Sequence, residues 1–402
     1  MPSSTPGFQG KRLAQAREAR GLSAVNLADL LGISTTSISQ YERGVQSPRP
    51  EIMEAISAKL NLPVARFLLP VLPEKSGRIY YRSMASATKS ARIRAERKFE
   101  WFKEISQYAE EYFTFPDVDI PRFEVPSDFR KITFERIETI ASETRHYFQI
   151  PDGPVPHLVS ILERHGVVVA RGNLEAETLD AFSEFPDDWR PFIFLGADKN
   201  VAVRSRFDAA HELAHLVLHR DIDKKHLAIK KDFKILESQA HRFASAFLLP
   251  ENEFLKDLWV PTLDAFRALK GRWKAAIAAM IKRCEDLEVI NENQARRLWV
   301  NLGRRSWRKK EPLDDSIPVE TSSFLRQCIE LLVMENVRTK SQIVDDLMLS
   351  QGDIEELTSL PKGFLTERST PAEVKPIPKF ETTSAEPKNE EAGKVIHIDR
   401  RR

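Results

Sequence analysis

The chain has 402 residues, 42% apolar and 30% charged, with a formal net charge of +2. That length admits two or three domains, each with its own core. The absence of any run of about 18 apolar residues excludes a membrane-spanning helix. The first residues lack the charged-then-apolar pattern of a secretory leader, so a cytoplasmic protein is expected. Its two cysteines, Cys284 and Cys328, read as free thiols and are too few for a zinc–cysteine site.

Residues 8–70 read as a compact helical unit. Leu13 and Ala16 start a helix that ends at Gly21, and Ser23 is a natural N-cap for a second carrying Leu27, Leu30 and Leu31. Gly32 supplies a tight turn, Ser34 caps a third helix over Thr35–Glu42, and Glu51–Leu60 supplies a fourth. Two short helices about a glycine turn, the second exposing Thr35, Thr36, Ser37, Ser39, Gln40 and Arg43, have the form of a helix-turn-helix reader of the major groove. The same pattern also fits a small helical bundle used for protein contacts. Leu22-Ser23, Leu27-Ala28-x-x-Leu31-Gly32-Ile33-Ser34, Ile38-Ser39-x-Tyr41-Glu42-Arg43-Gly44 and Ser47-Pro48-Arg49-Pro50 resemble the XRE-type (Cro/C1) helix-turn-helix. The resemblance implies binding to double-stranded operator DNA, with a homodimer matching two half-sites. Ala24 departs from it, standing where that family often has a glutamine.

Residues 73–129 are expected to be a basic linker and a long helix reaching about Phe113. Between 75 and 98, eight lysines and arginines stand against Glu96 alone. The run suits either added phosphate contacts or a solvated helix face. From Thr133 helical patterns alternate with short β-prone runs at Val167–Ala170, Leu179–Phe185 and Pro191–Leu195. A small sheet and helices predict an α+β domain over residues 130–312.

The stretch Arg206-Phe-Asp-Ala-Ala-His-Glu-Leu-Ala-His-Leu-Val-Leu-His219 reads as an apolar helix bearing His211, Glu212 and His215. Histidines four residues apart lie on one face, where both imidazoles can share a metal ion. The glutamate beside the first can take a proton from the water that such an ion activates. An ordinary helix with hydrogen-bonded core histidines fits the five residues as well. Three residues compete as third ligand. His219 is two turns from His211, with rotational drift. Asp221 stands where a metzincin has its third histidine, but Leu218 replaces the glycine needed for that turn. Glu237 lies on the following helix, one turn before His241, with Ala240, Phe243, Ala244 and Phe247 in phase to pack against the first. A carboxylate from a second helix is the gluzincin arrangement.

Taken together, Arg206-Phe207-x-x-Ala210-His-Glu-Leu-Ala-His-Leu-Val-Leu-His219 and Glu237-x-Gln239-Ala240-x-x-Phe243-Ala244-x-x-Leu248-Leu-Pro250 resemble the ImmA/IrrE-type metallopeptidases. Gly153-Pro154-Val155, Leu179-Asp-Ala-Phe-Ser183 and Trp307-Arg-Lys-Lys-Glu311-Pro312 fit as well. The resemblance implies zinc held by His211, His215 and Glu237, with Glu212 as general base of peptide hydrolysis. Joined to the reader, it matches bacterial and phage regulators that cut a repressor protein to relieve repression. His241 stands where that family often has asparagine, which leaves a supporting or an oxyanion-stabilising role open. A different class is also open: a repressor or antitoxin whose peptidase-like domain senses a ligand or partner without cutting. An intact Glu212 speaks against it, since a pure sensor needs no base.

Beyond Pro250 the chain is expected to be helical to about Arg308, with Trp273–Ile281 the strongest segment. A linker over 312–318, a small helical unit within 313–365 and a disordered tail over 366–402 follow. No internal repeat is evident. The expected fold is therefore multidomain: an all-α helix-turn-helix domain (1–72), an α+β gluzincin-like metallopeptidase domain and a helical C-terminal region.

Overall fold

The computed structural model describes residues 4–71, 78–81 (backbone alone), 88–175, 179–186 and 189–366. The expected tail lies, from residue 367 on, outside the described residues. The three-part architecture holds.

Four helices open the chain: α1 (Gly10–Ala19), α2 (Ala24–Leu31), α3 (Thr35–Glu42) and α4 (Pro50–Leu60). The side chains of Ser23 and Ser34 accept the N–H groups of Asn26 and Ser37, each satisfying a donor that a helix start leaves unpaired. Between them Gly32 sits at φ +64°, a left-handed conformation that costs glycine least. Leu13, Leu27, Ile38, Ile56 and Leu60 are fully buried. Gly10 permits α1 to start against the end of α3, since a Cβ there would lie 2.1 Å from the Tyr41 carbonyl oxygen. A 3-10 turn at Val64–Leu68 completes the unit.

Where the sequence suggested a linker, Arg78–Tyr81 forms strand β1. Four residues flanked by basic ones carry too short a pattern to be read as a strand; pairing with a segment far along the chain defines it. After α5 (Lys89–Glu110), α6 (Phe134–Tyr147) and α7 (Leu158–Arg164) come β2 (Val168–Gly172), β3 (Ala181–Phe185) and β4 (Phe192–Gly196). The sheet order is β1-β3-β4-β2. β4 runs parallel to β2 and antiparallel to β3, and β3 is antiparallel to β1.

Side chains alternate across a strand, and here the sheet divides two cores. Val169, Ala181, Ile193 and Leu195 face the core that contains α8 (Ala202–Leu218) and α10 (Lys230–Leu248), which flank α9 (Lys224–Ala228). Val168, Ala170, Phe182, Phe192 and Phe194 face the other, shared with Phe99 and Phe102 of α5 and with the N-terminal unit. The basic run of α5 is engaged within the protein. Arg97 pairs with Glu18 at 2.8 Å, Arg94 pairs with Glu175, and Lys98 donates to the Asn173 carbonyl at 2.7 Å.

The second half adds α11 (Glu251–Asp257), α12 (Leu263–Trp273), α13 (Ile277–Asp286), α14 (Glu292–Arg304), α15 (Phe324–Met334), α16 (Lys340–Leu347) and α17 (Gln351–Thr358). The stretch Trp273–Ile281, expected to be continuous, is broken at Lys274, which adopts φ +48°. Glu311 explains the break. Its carboxylate accepts from the N–H groups of Ile277 (2.8 Å) and Ala278 (3.0 Å), starting α13 there. The fully buried Lys270 reaches both Glu311 (2.7 Å) and Asp314 (2.6 Å), so the expected linker over 312–318 is anchored rather than free.

The expectation of no internal repeat is corrected by the C-terminal unit, where α15–α17 repeat the spacing of α1–α3. Thr339 and Ser350 cap α16 and α17 as Ser23 and Ser34 cap α2 and α3. Met348, at φ +51°, occupies the place of Gly32. The buried Ile329, Ile343 and Ile354 stand at the places of Leu13, Leu27 and Ile38. Residue identities hide the repeat because caps and apolar phase, rather than particular residues, define it.

Candidate metal centre

Helix α8 is buried along nearly its whole length between the sheet and α10, so each polar group on it requires a partner. His211 and His215, one turn apart on α8, meet Glu237 of α10. Their Nε2 atoms are 3.2 Å apart; His211 Nε2 lies 3.4 Å from Glu237 Oε2 and His215 Nε2 lies 3.4 Å from Glu237 Oε1. Tetrahedral zinc with bonds of about 2.0–2.1 Å places its donors about 3.3–3.4 Å apart, the edge of the coordination tetrahedron. Two imidazoles and one carboxylate converging near that separation are a donor set that would suit zinc. Among the described residues, this is the group of three His, Cys, Asp or Glu side chains that converges in this way.

Glu212, also fully buried, meets the sheet. Ser183 of β3 donates its hydroxyl to Glu212 Oε2 at 2.6 Å. His219 lies behind His215 rather than on the metal side, with its Nδ1 2.9 Å from His215 Nδ1. Its Nε2 is 3.1 Å from Gln239 Oε1. Burial, with His215 alongside, pushes the His219 pKa well below the ordinary histidine value, against the pull of the Gln239 hydrogen bond. Asp221 is exposed and lines a different cleft, with Arg220 and His226. The two ligand alternatives weighed in the sequence thus lie away from the donor triangle.

His241 is exposed. Its ring stands edge-to-face with His211 at 4.8 Å and lies 5.6 Å from the Phe207 ring. It lines a cleft of about 780 Å³ together with Phe207, Arg204, Arg242, Ala279 and Lys282. His211, Glu212, His215 and Glu237 are not among the residues that line this cleft. Other residues of the motifs read in the sequence are engaged as supports. The Gly153 and Val155 carbonyls accept from the buried Arg145 (2.6 Å) and Arg206 (2.8 Å). Burial lowers the Arg206 pKa to about 10, and Glu320 pairs with its guanidinium. Ser183, Gln239 and Glu311 stood inside quoted motifs, yet their partners come from distant segments, so sequence spacing alone gave them no role.

On the N-terminal unit, Thr35, Thr36 and Arg43 of the expected reading face are exposed, while Ser37, Ser39 and Gln40 are half-buried. Ser37 is engaged in the Ser34 cap through both its N–H (3.1 Å) and its hydroxyl (2.9 Å). Among the described residues, no helix is long and apolar enough to cross a membrane.

A family model described as the IrrE N-terminal-like domain, a peptidase family, matches residues 162–285, which contain the whole donor triangle and Glu212. A helix-turn-helix model matches residues 13–67. No match to a curated protein is found. The chain joins a helix-turn-helix DNA-binding domain of XRE type to an ImmA/IrrE-like domain with a metallopeptidase-like fold.

Proposed function

We propose that this is a cytoplasmic DNA-binding transcription regulator with a zinc-dependent endopeptidase domain, whose substrate is a repressor protein cut to relieve repression. The observation that carries the reading is the convergence of His211, His215 and Glu237, each imidazole 3.4 Å from a Glu237 oxygen, with a separate carboxylate on Glu212, the residue after His211. Zinc bound there supplies Lewis acidity, lowering the pKa of a water and polarising the scissile carbonyl. Glu212 then serves as general base, taking the proton of the attacking water and returning it to the leaving amine. The Ser183 hydroxyl holds Glu212 Oε2 and so restricts how the carboxylate can turn. His241, which lines the cleft, either supports His211 through their ring contact or donates to a developing oxyanion in this reading. Thr35, Thr36, Ser37, Ser39, Gln40 and Arg43 form the DNA-reading face, and a homodimer would align two of them with two half-sites.

One observation favours a second reading, a repressor or antitoxin that senses without cutting: His241 lines the cleft, whereas His211, His215 and Glu237 are not among the residues that line it. Zinc content of the purified protein, with and without His211→Ala, tests the metal centre; no zinc in the unaltered protein refutes it. Glu212→Gln should retain zinc and abolish cleavage of a co-expressed repressor. Identical behaviour of that variant and the unaltered protein in cells would overturn the peptidase reading and favour the sensor.

A further inference from the structure

We propose that His219 and Gln239 are positioning residues that hold His215 in the tautomer presenting a bare Nε2 to the metal. The argument starts at the far end of the chain of hydrogen bonds. Gln239 Nε2 donates to the Phe129 carbonyl at 2.7 Å. This fixes the amide, since its NH2 group must face that carbonyl, and so turns Oε1 toward His219 Nε2 at 3.1 Å. An amide oxygen only accepts, so His219 Nε2 carries the hydrogen. A neutral imidazole then has its lone pair on Nδ1, which faces His215 Nδ1 at 2.9 Å. His215 must donate there. Its hydrogen is thereby on Nδ1, and Nε2, directed at His211 and Glu237, is left with a lone pair. Supporting partners of this kind orient a metal-binding histidine and raise its basicity. Here the support ends on backbone of the 3-10 turn Phe129–Lys131, outside the two helices that bear the ligands.

The relay rests on reading the site as a metal centre, but the tautomer can be read without metal. Nitrogen-15 NMR of the histidines in the metal-free protein should show His215 protonated on Nδ1 and bare on Nε2. Gln239→Leu, which removes the acceptor at similar volume, should abolish that preference. Together with His219→Ala, it should weaken zinc binding, measured by competition with a chelator, by about 10- to 100-fold. His215 protonated on Nε2 in the unaltered protein, or zinc affinity unchanged in both variants, overturns the relay. Failure of the unaltered protein to bind zinc while His215 keeps the expected tautomer refutes the metal reading and leaves the relay standing.

A second inference rests on the repeated unit. Its α17 occupies the place of the DNA-reading helix α3, yet the acidic residues of α17, Asp353, Glu355 and Glu356, are engaged within the protein. Asp353 pairs with Arg20 at the end of α1 (2.6 Å), and Glu356 contacts Lys98 of α5 (3.3 Å) and the Asn173 N–H (2.5 Å). Glu355 accepts from the N–H groups of Gly363 and Leu365. We infer that this helix-turn-helix-shaped unit recognises protein rather than DNA, and serves as a clasp holding the reader domain to α5 and the sheet. In the full chain, Asp353→Asn with Glu356→Gln should speed hydrogen exchange in α1 and the first half of α5 while sparing α8. Asp353→Asn alone provides a milder test. No change in α1 in either variant overturns the clasp. At low salt, Gln351→Ala at the exposed start of α17 should leave binding of a short duplex of arbitrary sequence unchanged; a loss would show that the unit contacts DNA.

Discussion

Replacing Glu311 by alanine probes how the wall of the cleft is built. Glu311 accepts the first two N–H groups of α13, and it shares the fully buried Lys270 with Asp314. Two lost hydrogen bonds at a helix start cost about 1 kcal/mol each. Stripping a buried ion of its only partner costs about 3–5 kcal/mol; Lys270 retains Asp314, so about 1–2 kcal/mol is expected. The sum, about 3–4 kcal/mol, is local to the start of α13. Hydrogen exchange at the Ile277 and Ala278 amides should therefore accelerate on the order of 10²- to 10³-fold, since about 1.4 kcal/mol corresponds to each factor of ten. Glu311→Gln, which retains an acceptor but loses the charge facing Lys270, should fall between. Exchange at those two amides within about threefold of the unaltered protein, or acceleration shared equally by α8, would refute the reasoning.

Three further outcomes are expected. Burial pushes both Cys284 and Cys328 thiols up to about 12, so iodoacetamide at pH 8 should leave the native protein unmodified and label both after unfolding; ready labelling of the native form contradicts their burial. Arg43→Ala should lower the salt slope of duplex binding by about one, whereas Thr36→Ala should weaken binding and leave the slope unchanged; anisotropy titrations across salt concentrations separate the two. Chelation of a tightly held metal should lower thermal stability, by about 4 kcal/mol if free metal had stood at a thousand times its dissociation constant. An unshifted calorimetric transition after verified metal removal would show that the site contributes nothing to folding.

Much of the N-terminal unit was legible because its signals are local. Ser23, Gly32 and Ser34 act on neighbours within four residues, and the apolar phase of Leu13, Leu27 and Ile38 gives their burial directly. The His211–His215 pair was legible for the same reason, whereas Glu237 stood among three candidates until the family resemblance singled it out. What escaped depended on distant partners. β1 acquires its character from β3, about a hundred residues later, and Glu311 stops one helix and starts another from beyond α14. The tautomer of His215 depends on a carbonyl at Phe129. The repeat escaped for a different reason: Met348 replaces the glycine that marks the first turn, and an acidic α17 replaces a neutral polar reader, so the chemistry diverged while the geometry was kept.

The clasp between Arg20 and Asp353 joins residues 333 positions apart, and that separation is also an interval of time. At about 5–20 residues per second, synthesis brings Asp353 into being roughly 15 to 65 s after Arg20. The first four helices have their own buried centre in Leu13, Leu27, Ile38, Ile56 and Leu60, complete long before the last three helices exist. Each new chain therefore passes through a stage in which its reader is shaped but not yet fastened, and the fastening is among the final acts of its folding.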